Sequence, residues 1–164
     1  MYLNLQVNGL SGAGHPAIRG INTTQEAKKL RPHLKFLTSD IMTNERRALD
    51  QPHLSSAYDL CGSSIESIEH VLTICSVTQE TRDRLLYDLL STVSTVQPSC
   101  SILLPHLDSS LLTQFILDCT SLNLPDSIRI PAHHPGISEI YKISREWTYA
   151  INRERSRLRK SSVK

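Results

Sequence analysis

Two thiols and an imidazole fall in one short run of this chain, Cys61-x8-His70-x4-Cys75. No other feature constrains the fold as much. If the three donors grip one metal ion, the Cys61-Gly62 turn must fold back onto the segment that carries His70 and Cys75. Zinc suits such a set, because it is borderline-soft and takes tetrahedral shells of thiolate and imidazole. A fourth donor belongs three residues before Cys61, where a C-x2-C turn would supply it, and Tyr58 stands there. A phenol with a pKa of about 10 is a poor zinc ligand at neutral pH. Asp59, His53 or water are then the candidates for the fourth place beside Cys61, His70 and Cys75. The spacing predicts that these three converge within a few ångströms, with or without metal. The competing reading makes Cys75 a core residue, Cys61 a loop thiol and His70 an exposed helix residue.

The rest of the chain reads as helices. Ile65, Ile68, Val71, Leu72 and Cys75 recur at three to four residues, a helical stripe. Ser76-x-x-Gln79 has the form of a capping box, and Leu85, Leu86, Leu89, Leu90 and Val93 continue a second helix. Thr24 is a candidate N-cap for residues 24–50, read as two short helices with a break near 31 or 38, because Pro32 removes a backbone donor. Residues 98–105 read as a connector. Asp108 or Ser109 caps a further helix through Leu111, Leu112, Phe115, Ile116, Cys119 and Leu122. Pro135 suits the first turn of a last long helix, with Ile137, Ile140, Tyr141, Trp147, Ala150 and Ile151 on its buried side. No segment sustains a period of two. The expectation is a small, mostly α-helical domain with a degenerate zinc-knuckle loop between helices.

Four segments follow. Residues 1–22 are a flexible N-terminal segment, rich in glycine and resembling the cut end of a longer protein. Residues 23–52 are linker helices, 53–95 the degenerate knuckle with its following helix, and 96–160 a helical region with a basic end. Hydrophobic residues make up 39% and aromatic residues only 5%, so Leu, Ile and Val are expected to supply the core. Net charge is +2, but Arg153, Arg155, Arg157, Arg159, Lys160 and Lys164 face only Glu154 across the last stretch. Those cations are candidate contacts for an acidic partner, or a solvated basic end. The first residues lack a charged n-region and a long apolar stretch, and no run reaches the length of a membrane span. An intracellular setting, nucleus or cytoplasm, with reduced cysteines is expected.

The residues from Leu60-Cys61-Gly62 through Glu66-Ser67-Ile68-Glu69-His70-Val71-Leu72-Thr73-Ile74-Cys75 resemble the zinc-knuckle segment that follows the polymerase in non-LTR (LINE-type) retrotransposon reverse transcriptases. The family pattern is roughly C-x2-C-G, then a glutamate, a histidine and x4-C. Thr81-Arg82-Asp83-Arg84-Leu85-Leu86 is similar to the arginine-bearing helix that follows. Residues 31–38, 115–121 and 144–158 resemble the flanking and closing helices. Two departures stand out. Tyr58 replaces the first knuckle cysteine, so the resemblance carries only Cys61, His70 and Cys75 across. There is also no Tyr-x-Asp-Asp pair and no palm-sized segment.

The resemblance implies engagement of template RNA or target DNA, not polymerase activity. The functional expectation is a non-catalytic nucleic-acid-binding remnant. One zinc ion at Cys61, His70 and Cys75 is its cofactor, and Arg153, Arg155, Arg157, Arg159 and Lys160 contact phosphates. RNA or DNA is the expected partner, with no membrane and no small-molecule substrate. The alternative is a metal-free helical interaction module, or a decayed retroelement fragment with no retained activity. Of nearby general bases there are only Glu66 and Glu69, and His133-His134 reads as a loop or helix-entry feature.

Overall fold

The computed structural model describes residues 16–18, 21–63, 65–122 and 124–162, and among these it is mostly helical with no strand. Six α-helices follow in order: α1 (Thr24–Leu37), α2 (Asn44–Asp50), α3 (Gln79–Val96), α4 (Pro98–Leu103), α5 (Ser109–Asp118) and α6 (Ile137–Ser162). A π-helical turn spans His70–Ile74 between α2 and α3. α6 is the central element, packing most extensively on α1 and α3 and touching α5 and the π turn as well. No helix among the described residues is long and apolar enough to cross a membrane.

The apolar stripe of α6 explains its place. Ile137, Ile140, Tyr141, Trp147 and Ile151 are all buried, as their spacing predicts. α3 buries Leu85, Leu89 and Val93, and Asp108 caps α5 by accepting from the Leu111 N–H at 2.8 Å. Leu, Ile and Val make up most of the buried core, as expected, and its largest fully buried side chains are Trp147, Tyr58, Tyr141, Phe36 and Phe115, each covering more surface than a Val or Leu.

Several boundaries also move. Pro32 lies inside α1 and does not end it. The carbonyl it leaves without a helical donor is that of Lys28, on an exposed stretch where water can reach it. Of the two expected break points, 31 and 38, the break falls at the second, over 38–43, where Ser39 takes a left-handed φ of 58°. The N-cap of α1 is Thr23, one residue before the expected Thr24, and its side chain accepts from the Glu26 N–H at 3.2 Å. The Ser76-x-x-Gln79 box does not cap α3, which opens from a 3-10 turn over Ser76–Thr78 without a side-chain capping bond. Residues 98–105 are helical, with Pro98 at the first turn of α4. Ile65 precedes the helical turn and is exposed.

Most of the 1–22 segment lies outside the described residues, but Pro16–Ile18 forms a 3-10 turn that packs on α6. Ala17 is fully buried there, and its carbonyl accepts from the buried Arg145 guanidinium at 2.8 Å.

Candidate metal centre

The Cys61 loop is shaped by its backbone. Tyr58 N–H donates to Ser63 O at 2.9 Å and Gly62 N–H donates to Tyr58 O at 3.0 Å. Gly62 takes φ of 72°, and a Cβ there would meet nothing within 4 Å. Glycine is therefore needed for its left-handed backbone and not for lack of space. The loop is held at its far end by Glu66 N–H, which donates to Ser56 O at 2.8 Å.

His70 and Cys75 are five residues apart. In an α-helix that would set them about 140° apart around the axis. The π turn solves this. Cys75 N–H reaches back to His70 O at 2.8 Å, a five-residue closure, and Cys75 then leaves the helix at φ −53°, ψ 120°. Arg82 of α3 locks the exit, donating to the carbonyls of Ile74 and Cys75 and to Thr78 Oγ1. Trp147 Nε1–H of α6 donates to Leu72 O at 3.1 Å. Thr73 Oγ1–H donates to Glu69 O at 2.7 Å and lies 3.4 Å from Thr113 Oγ1 of α5. The turn is thus held from three helices.

The outcome is convergence. The donor atoms of Cys61, His70 and Cys75 all lie within 4.8 Å of one another, close enough to hold one metal ion. Cys61 Sγ stands 3.1 Å from His70 Nε2. Tyr58 is buried beside them, its ring edge-on to His70 with centroids 5.3 Å apart. Burial pushes the Tyr58 phenol well above its ordinary pKa, and Cys75 adds to that. Burial likewise raises the Cys75 thiol. Burial, then the Arg82 guanidinium, lower the His70 imidazole. A metal would have to displace a proton from Cys75, and the lowered imidazole favours the neutral ring that metals bind.

The other named candidates lie elsewhere. His53 is exposed, and Asp59 accepts from Arg159 at 3.2 Å. Glu69 accepts from Ser109 Oγ. His134 is a helix-entry residue, as expected: its Nδ1 accepts from Gly136 N–H at 3.0 Å just before α6.

The five basic candidates divide. Arg155 is buried and its guanidinium grips Glu66, with Nε 2.8 Å and an Nη 2.6 Å from one carboxylate oxygen. It also donates to Met42 O at 2.8 Å. Arg159, about a quarter exposed, reaches both Glu66 oxygens at 2.8 and 2.9 Å and stacks over Tyr58 at 5.9 Å. Both guanidinium groups are thus engaged with Glu66, unlike the outer basic residues. Burial of the lone carboxylate of Glu66 explains why, since a buried charge must be paired. Arg153, Arg157 and Lys160 are exposed, and Arg157 pairs with Glu154 at 3.0 Å. Glu66, also bonded by Asn44 N–H at 2.6 Å, was the residue the sequence concealed. A usable signal did exist: Arg155 falls four residues after Ile151, continuing the buried stripe of α6.

No family model, curated protein or solved structure matches this chain.

Proposed function

We propose that the chain is a non-catalytic nucleic-acid-binding module, resembling the post-polymerase region of non-LTR retrotransposon reverse transcriptases, with a structural zinc at Cys61, His70 and Cys75. The observation that carries the zinc half of this reading is the meeting of three soft donors at one point, brought together by the π turn. Ideal tetrahedral zinc would set a sulfur and an imidazole nitrogen about 3.6 Å apart and two sulfurs about 3.8 Å apart. Cys61 Sγ and His70 Nε2 at 3.1 Å need open by only about half an ångström. Tyr58 borders the site as a neutral phenol, so water is the fourth ligand we favour. The zinc would pin the Cys61 loop to the π turn. Arg153, Arg157 and Lys160, on the outer face of α6, would meet phosphates.

A second reading is the metal-free helical interaction module, or a decayed fragment. Direct contact of Cys61 with His70, and the Tyr58 ring packed over them, favour it, because the corner is closed without an ion.

One experiment separates the two. Protein purified without added metal is assayed for zinc, alongside Cys61→Ser, and then titrated with RNA and DNA at rising salt. The first reading expects about one zinc per chain, lost in the variant. It also expects affinity to fall with salt at a log–log slope between about −2 and −3, the value for three phosphate contacts. Zinc-free wild type with unchanged helicity under chelation sinks the zinc half. Absence of nucleic-acid binding at low salt sinks the other.

A further inference from the structure

A groove of about 360 Å³ lies between α3 and α6, apart from the metal centre. Arg84 of α3 forms one wall, and Tyr149, Arg153 and Arg157 of α6 form the other, with Glu146 and Glu154 also lining it. Its volume falls within the range of roughly 300–1,000 Å³ typical of small-ligand sites. Both acids are engaged already: Glu146 pairs with Lys29 of α1, and Glu154 with Arg157. Among the described residues Arg84 and Arg153 make no ion pair, and both are exposed. The groove is therefore lined by two arginines that make no ion pair among the described residues and by the half-buried Tyr149. Guanidinium groups bind phosphate oxygens in bidentate fashion. An aromatic face recessed between helices accepts a flat, unpaired base, whereas bases in a duplex are already stacked on one another.

We propose that this groove is a single-stranded nucleic-acid subsite, in which one base stacks on Tyr149 and Arg84 and Arg153 hold the flanking phosphates. The proposal rests on the nucleic-acid reading above and names the strand form and the contacts. It does not require metal. An acidic peptide could satisfy the two arginines but gives the Tyr149 ring no flat partner.

The test measures fluorescence anisotropy of the full chain with a short labelled oligouridine and with a duplex RNA of equal length, at one low salt concentration. Tyr149→Leu keeps an apolar side chain at the position and should weaken oligouridine binding about tenfold, with less than about twofold change for the duplex. Tyr149→Phe should bind like wild type. Arg84→Glu, at an exposed position, reverses a charge without touching the core and should weaken oligouridine binding by at least about tenfold. Oligouridine binding that ignores both Tyr149→Leu and Arg84→Glu overturns this proposal alone. So does competition by polyglutamate that matches competition by oligouridine. Wild-type protein that binds neither RNA overturns the subsite, and if it also binds no DNA at low salt the nucleic-acid reading falls with it.

Discussion

Beyond Ile151 the two faces of α6 carry the same residue type in opposite situations. Arg155 and Arg159 turn inward onto Glu66, a carboxylate with no exposed surface, while Arg153, Arg157 and Lys160 turn outward. The inner pair ties together α6, the start of α2 through Asn44, and the loop that carries Cys61. Among the described residues the outer set makes one ion pair, Arg157–Glu154 along its own helix. A run of basic residues is thus not one electrostatic feature. Helical periodicity divides it, and the buried carboxylate decides which half becomes structure.

The largest effect expected from breaking this arrangement is at Glu66. Glu66→Ala strands two guanidinium groups, one of them buried, and should cost about 3–5 kcal/mol of stability in urea denaturation. A loss below about 1 kcal/mol would mean the inner arginines find water instead, and the contrast between the faces would collapse. Arg155→Ala comes next, at about 2 kcal/mol, because Glu66 keeps Arg159 and Asn44 as partners. Combined with Glu66→Ala it should cost less than the sum of the two, since both remove one network. Arg153→Ala is the counterpart on the outer face and should shift stability by less than about 0.5 kcal/mol while weakening RNA binding. Equal melting temperatures for Arg153→Ala and Arg155→Ala would break the comparison outright.

The cluster of Cys61, His70 and Cys75 shows how much of a site a sequence can disclose. The donor types and their order along the chain named Cys61, His70 and Cys75, because few residues bind soft metals. Their convergence depends on a five-residue turn, and residue spacing read on an α-helix puts His70 and Cys75 on different sides. That turn is held from outside by Trp147 and Arg82, which donate to its carbonyls and to that of Cys75, and by Thr113, which meets the Thr73 hydroxyl. None of those partners is adjacent to it in a way that local pattern reveals. The groove was equally hidden, since Arg84 and Tyr149 become neighbours only when α3 packs against α6.

The sequence by itself determined the helical class, the buried stripes of α3 and α6, a cap at Asp108 or Ser109 and the three soft donors. Each of these depends on side chains a few residues apart, where helix geometry fixes who meets whom. Only the tertiary structure decided that Tyr58 would be buried in the core, and that Glu66 would claim Arg155 from 89 residues away. Tertiary packing also set which arginines remain outside. Such choices turn on the cost of burying a charge without a partner, and that cost exists only once the chain has closed around it.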